Sequence, residues 1–262
     1  MLKSITLHKP KKAVVTIIDR IEELERKNNE LSLQLEQANK EMEAFAYSVS
    51  HDLRSPLRGI DGWSQALSED FEDSLEEKAK IYLSRIRYET MRMHELIEAL
   101  LKLSRLSRRV LERERIDISS MAEFVVERLR EHNPQRRVIV VIEPGLTVFA
   151  DRFLMDIALS NLIGNAWKFT EKKELAQIEI GSTFYDNERV FYIRDNGAGF
   201  NLAYAKKLFG AFQRMHKPNE YPGIGIGLAM VQRIILRHGG NVWVETEVDK
   251  GATFYWVIRS NV

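Results

Sequence analysis

Residues 48–59, SVSHDLRSPLRG, set a histidine beside an aspartate and follow them five residues later with a proline. Upstream of them, apolar or neutral residues recur at alternating steps of three and four: Val14, Ile17, Ile21, Leu24, Asn28, Leu31, Leu35, Ala38, Met42, Phe45 and Val49. That spacing is a coiled-coil seam, with Asn28 as the polar member that fixes register and dimeric state at some cost in stability. His51 lies two positions past Val49 and so points off the seam, exposed and available. After Val49 the apolar stripe moves to Leu53, Leu57, Ile60 and Leu67, as expected when a two-stranded coil opens into a wider bundle. An acidic link, SEDFEDSLEE at residues 68–77, leads to a second helical series, Ala79, Leu83, Ile86, Met93, Ile97, Leu100 and Leu103, running through Arg109. Two such hairpins from a dimer would close a four-helix bundle.

Composition narrows the remaining choices. A chain of 262 residues, 44% hydrophobic, can bury the cores of two modest domains. Basic and acidic residues nearly cancel, 39 against 38, so bulk charge points to neither nucleic acid nor an anionic membrane. With no cysteine there is no disulfide, thiolate metal site or cysteine nucleophile. Apolar runs such as Val138 to Ile142 fall far short of the roughly 18 residues that span a bilayer, and no signal peptide opens the chain. A cytoplasmic location is expected. The strand-like opening SITLHKPKKAVVTIID, residues 4–19, reads as the end of an upstream domain, or as a leader, in a longer or membrane-anchored parent protein.

From Ile116 the texture becomes mixed. A helix is expected over Ser119 to His132, then the apolar run VIVVI, a helix from Asp151 to Phe169, and strands over Gln177 to Phe184 and Val190 to Arg194. A glycine-bearing loop, a helix from Gly227 to His238 and a closing strand pair, NVWVETEV and GATFYWVI, complete a separate α/β sandwich.

In the first long helix of this part, Asn161, Asn165 and Lys168 stand at steps of four and three beside an apolar strip of Ala158, Leu162, Ala166 and Phe169. Such an edge can dock on a sheet while presenting two amides and an ammonium to a cleft. A carboxamide oxygen suits magnesium and a lysine offsets phosphate, although polar helix edges are as often simply solvated. Asp195 ends a strand and opens DNGAGF, where Gly197 and Gly199 leave room for a ligand against the backbone; the acid could hold an adenine amine, and Asp-Asn-Gly is also an ordinary turn. GIGIGLAM supplies Gly223, Gly225 and Gly227 immediately before a helix, where bare N–H groups suit phosphate. No strand precedes it, which excludes the dinucleotide-fold reading. Between the two glycine segments, AYAKKLFGAFQRMHKPNEYP has the length of a lid, with Phe209 and Phe212 as anchors and Arg214 or Lys217 within reach of phosphate.

Taken together, FAYSVSHDLRSPL, SNLIGNAWKFT, DNGAGF, LFGAF, GIGIGLAM and GATF resemble the phospho-acceptor, asparagine and nucleotide boxes of the sensor histidine kinases of two-component signalling, in that family's order over residues 42 to 260. The details are similar to kinase cores that follow phytochrome and PAS sensors. The resemblance implies an α plus α/β architecture: a coiled coil leading into a dimeric four-helix bundle, then an ATP-binding sandwich of the histidine kinase and Hsp90-like type. It divides the chain into residues 1–20 as the end of a PAS-like sensor or a leader, 14–50 as signalling helix, 42–110 as dimerisation and phospho-acceptor domain, and 115–262 as catalytic domain.

The same resemblance makes His51 the phosphorylated residue and Asp52 the acceptor of its ring proton, the neutral imidazole being the nucleophile. It gives Asn165 the magnesium and Asn161 and Lys168 the phosphates, puts Phe169 near the nucleotide and has Asp195 fix adenine. Gly197, Gly199, Arg214, Gly223, Gly225, Gly227, Leu228 and Thr253 would form the rest of the nucleotide's surroundings. ATP and Mg2+ are the implied cofactors, and the partners are a second copy of the chain, a separate response-regulator receiver and an upstream sensor. Ser55 departs from the threonine or asparagine that the family uses to orient water for receiver dephosphorylation, so that activity is not carried over. Pro56 removes the N–H that would bond the Asp52 carbonyl, weakening the helix by about 3 kcal/mol beside the histidine. An ATP-driven clamp sharing only the nucleotide fold and a non-catalytic dimeric scaffold are the competing readings; neither calls for the His-Asp-Pro hairpin together with intact Asn165 and Asp195.

Overall fold

The computed structural model describes residues 9–106, 110–202, 205–215, 220–221 and 223–259. Residues 1–8 and Lys217 lie outside that set, as do the side chains of Val14, Ile17, Leu35, Met42 and Phe45. The chain divides into two compact units, residues 1–51 and 52–262, with the boundary inside the first helix.

That helix, α1 (Lys9–Asp70), runs for 62 residues. Its beginning corrects the strand-like reading over residues 9–19, which are helical; residues 4–8 of that stretch lie outside the described residues. β-branched residues there satisfy strand propensity locally, but the three-four apolar spacing continues from residue 14 onward, and helix formation is cooperative along the chain. Ile21, Leu24 and Leu31, members of the predicted seam, are 49%, 52% and 55% exposed. Pro56 lies inside α1 and does not end it. One backbone bond is lost there, yet cross-ties on either side hold the helix to α2 (Glu77–Arg105). Arg54 Nη2 donates to Glu98 Oε1 at 2.7 Å and Arg87 Nε to Asp61 Oδ1 at 3.3 Å. Leu57, Ile97 and Leu101 form a small buried cluster within this hairpin.

The remainder is an α/β domain. After β1 (Arg113–Asp117) come α3 (Ile118–His132), β2 (Val138–Ile142), β3 (Thr147–Asp151), α4 (Arg152–Phe169), β4 (Ala176–Tyr185) and β5 (Glu188–Asp195). The short α5 (Ala205–Leu208), α6 (Gly227–Arg237), β6 (Asn241–Glu247) and β7 (Gly251–Val257) follow. The main sheet has the order β2-β4-β5-β7-β6; β2 and β4 are parallel and every other pairing is antiparallel. A second sheet pairs β1 with β3 in antiparallel register, Arg113 opposite Asp151 and Asp117 opposite Thr147. Neither of those strands is legible as a strand in the sequence.

Helix boundaries follow local chemistry. Asp117 caps α3 by accepting from the Ser120 N–H at 3.0 Å, and Asp151 caps α4 by accepting from Leu154 N–H at 3.1 Å. Those bonds to Ser120 hold the Asp117 carboxyl below the usual carboxylate range. Helix α4 buries Leu154, Met155, Ala158, Leu159, Leu162, Ile163 and Ala166 against Ile178, Ile180, Phe191 and Ile193 of the sheet and against Val231, Ile234 and Ile235 of α6. Each large aliphatic side chain so buried contributes about 1.5–3 kcal/mol. Leu159→Ala is expected to destabilise the domain by about 2–5 kcal/mol, read as a shift in the denaturant midpoint at constant slope.

Candidate functional site

A cavity of about 790 Å³ opens along the uncovered edge of α4. Asn161, Asn165 and Lys168 line one wall, with Phe169 at their end. Asn161 Nδ2 donates to the Ile157 carbonyl at 2.7 Å, which fixes its carboxamide beside Gly227 at the start of α6. Any Cβ at 227 would come within 2.5 Å of Asn161 Oδ1, so the glycine is required there for packing. The amide of Asn165 makes no hydrogen bond among the described residues, leaving a hard oxygen donor facing the cavity.

Lys168 Nζ lies 4.3 Å from the centroid of the Phe169 ring. Burial, followed by the charge of Arg214, brings its pKa down to about 8. The Phe169 ring meets Tyr221 edge-on at 5.1 Å, and Arg214 Nη2 donates to the Tyr221 carbonyl at 2.6 Å. Tyr221, Leu208, Phe200, Met230 and Phe254 line the cavity without having been predicted. Tyr221 sits in the lid segment beside a proline, where sequence offers an aromatic but no period; Met230 and Phe254 look like ordinary core members of a helix and a strand.

At the opposite side Asp195 ends β5, only 5% exposed. Burial pushes its carboxyl up to about 6, against the opposing effect of hydrogen bonds from the Gly197 and Ala252 backbone. The Gly197 N–H donates to Asp195 Oδ1 at 2.8 Å. Gly199, Arg214, Gly223, Gly225, Gly227 and Leu228 all line the cavity with it, as predicted.

Gly197 and Thr253 do not. The space beside Gly197 is filled by the protein itself, because a Cβ there would stand 2.6 Å from the Phe169 carbonyl oxygen. That carbonyl accepts from the Ala198 N–H at 3.1 Å, so the glycine lets the DNGAGF loop lie flat on the end of α4. Gly199, at φ 54°, is likewise pressed against the Glu247 carbonyl. At Gly197 the space is taken by backbone, whereas Gly199 touches the Glu247 carbonyl and also lines the cavity. Thr253 pairs with Arg194 across β7 and β5, and Arg194 Nε donates to its Oγ1 at 3.4 Å. Alternation along the strand puts Asp195, Ala252 and Phe254 on the cavity face and Thr253 on the other. His51 and Asp52 are exposed positions of α1 and are not part of the cavity lining.

Comparison with known proteins gives this arrangement a family. Residues 41–109 match the His Kinase A (phospho-acceptor) domain. Residues 150–261 match the histidine kinase-, DNA gyrase B- and HSP90-like ATPase. The chain belongs to the sensor histidine kinases. It is 36% identical to cyanobacterial phytochrome B of Nostoc sp. (strain PCC 7120 / SAG 25.82 / UTEX 2576) over 88% of its length, and 37% identical to the methanogenesis regulatory histidine kinase FilI of Methanothrix harundinacea (strain 6Ac) over 83%. It spans 31% and 24%, respectively, of those relatives. Among solved structures it resembles full-length ShkA in complex with AMPPNP, with a TM-score of 0.56 and 25% identity, covering 82% of this chain and 46% of that one. Most of the cavity's lining, from Asn161 to Phe254, belongs to the segment that matches this nucleotide-binding ATPase family. No helix among the described residues is long and apolar enough to cross a membrane.

Two titrations bound the working range of this cleft. Asp195 is ionised above about pH 6 and Lys168 is charged below about pH 8, so a ligand that needs both charges is held best between the two. Adenylate affinity measured calorimetrically from acid to base is expected to peak between these values. Asp195→Asn should weaken binding by about tenfold or more and remove the acid limb while leaving the alkaline one, since an amide has no carboxylate to protonate.

Proposed function

We propose that this chain is the catalytic core of an ATP-dependent histidine kinase in which His51 takes the terminal phosphoryl group of ATP and passes it to an aspartate of a separate response-regulator receiver. The observation that carries this reading is the cleft itself, where a buried Asp195 and the α4 strip of Asn161, Asn165 and Lys168 face one cavity in a chain that also exposes His51 on its phospho-acceptor helix.

Asp195 accepts from the adenine amine, which sets the nucleotide's direction along the cleft. Lys168 and Arg214 face the phosphates as fixed cations, and the N-terminal turn of α6, which has no side-chain cap, offers backbone N–H donors to the same charge. The unbonded amide of Asn165 fits a hard cation, and magnesium held there would neutralise phosphate charge. In the transfer itself, a ring nitrogen of His51 attacks the γ-phosphorus as the bond to the ADP oxygen breaks, and the proton on the other ring nitrogen passes to Asp52. The protein's contribution is therefore positioning and electrostatics more than covalent chemistry. Transfer onward to a receiver aspartate, dimerisation through the α1 seam and control by an upstream sensor belong to the same reading.

Incubation with γ-labelled ATP and magnesium should place acid-labile, base-stable label on the protein. His51→Gln is expected to abolish it while leaving nucleotide affinity intact, and Asn165→Ala or removal of magnesium by chelation to lower labelling by about a hundredfold or more. Label that survives His51→Gln, or that is stable to acid, would disprove the assignment.

A further inference from the structure

The nucleotide cleft has a wall that does not belong to the ATPase domain. Helix α2 lends it His94, Glu95, Glu98, Ala99 and Lys102, a spacing that lies along one face of a helix. Two of these side chains are carboxylates. Glu98 is held by Arg54 Nη2 at 2.7 Å, while Glu95 has no ion pair among the described residues. The same cavity is also lined by Lys168 of α4 and by Arg214 from the segment between α5 and α6, two cations that repel each other. Carboxylates lining the same cavity as that pair are attracted to it for as long as nothing lies between them, an attraction that solvent screens because Glu95 is exposed and Glu98 half-exposed. A polyphosphate entering the cleft occupies that position and carries the same sign of charge as the carboxylates.

We infer that Glu95 and Glu98 are specificity-determining residues of the nucleotide site: with α2 against the cleft they oppose an occupant in proportion to its phosphate charge. ATP carries one more negative charge than ADP whether or not magnesium is bound, and adenosine carries none, so the penalty is largest for ATP and absent for adenosine. A chain with α2 in this position thereby binds the spent nucleotide better, relative to ATP, than a chain lacking the two carboxylates. Arg54 moderates the effect, because it neutralises Glu98 from the far side. This inference rests on the cleft binding adenylates as proposed above.

The test uses the whole chain and its Glu95→Gln/Glu98→Gln variant, with ATP, ADP and adenosine each competing against a fluorescent adenylate at equal excess magnesium. The variant is expected to bind ATP about five- to tenfold more tightly and ADP about two- to threefold more tightly, with adenosine unchanged, and the gain should shrink in about 0.5 M salt. Arg54→Ala, which leaves Glu98 uncompensated, should move ATP affinity the other way. An equal change for all three compounds would mean that the carboxylates act only on packing, and weaker ATP binding would mean that they assist the phosphates; either result overturns the inference, as does no change. If the wild-type chain bound none of the three, the nucleotide reading would itself be lost, a result separable from the others because the variant would then have nothing to alter.

Discussion

Helix α4 buries Leu154, Met155, Ala158, Leu159, Leu162, Ile163 and Ala166 and leaves Asn161, Asn165 and Lys168 only partly covered, and this burial pattern is the constraint from which the rest of the cleft follows. Turning the helix by one residue's rotation, about 100°, would drive the lysine into the sheet and bring Leu162 toward water. Losing one large aliphatic burial costs about 1.5–3 kcal/mol, and an unpaired buried ammonium costs more. The apolar residues thus aim the polar ones. The end of the helix is held by the same logic, since the Phe169 carbonyl accepts from the Ala198 N–H and Gly197 lets the two backbones approach. That contact ties the strip on α4 to the strand end bearing Asp195, so the two sides of the cleft keep a fixed separation.

Both charged groups on those sides are held where ionisation is disfavoured. Asp195 is raised by burial and Lys168 is lowered by burial and by Arg214. Each is poorly solvated, and burial is the main cause of both shifts, with no opposite charge among the causes. A ligand with a hydrogen-bond donor at one end and a polyanion at the other relieves both penalties at once, whereas a ligand with only one of those features relieves one. Fixed dipoles and charges of this kind need little reorganisation when the matching group arrives, which is the usual source of electrostatic selectivity in partly dry sites. The aromatic pair of Phe169 and Tyr221 adds a nonpolar flank beside Lys168, keeping water away from the ammonium on that side.

Much of this was legible in the sequence because it depends on period. The α4 strip, the hairpin of α1 and α2, the closing strands and the start of α6 all announce themselves by spacing, and the family's boxes add the direction of chemistry. What was not legible depends on partners distant in the chain. Strands β1 and β3 are only five residues each, β1 is mostly charged, and their mutual pairing, Glu114 opposite Ala150, makes them strands. Gly197 and Gly199 read as space for a ligand, but the neighbours that fill that space, Phe169 and Glu247, come from elsewhere in the sequence. Thr253 was placed in the cleft by its box; a register one residue from Ala252 turns it to the other face. At the N-terminus, local β-propensity suggested a strand where a longer-range heptad spacing prevails.

Two histidines show how environment, not residue type, divides structural from reactive roles. His238, just past α6, is fully buried. Its Nε2 accepts from the Asp151 N–H at 3.0 Å, so the ring proton is on Nδ1, which lies 2.7 Å from the Ile234 carbonyl and donates to it. Burial lowers its pKa, and the neutral tautomer is locked by both bonds. Every lone pair and proton of that ring is already committed, joining α6 to the β3–α4 junction where Asp151 also accepts from the Glu112 N–H at 3.1 Å. Such an imidazole cannot attack phosphorus without first unmaking the domain. His51 stands on an exposed helical turn whose next residue is a carboxylate and whose backbone is relieved of one hydrogen bond by Pro56. Its ring is exposed to solvent, which the proposed phospho-acceptor role requires and which His238 lacks.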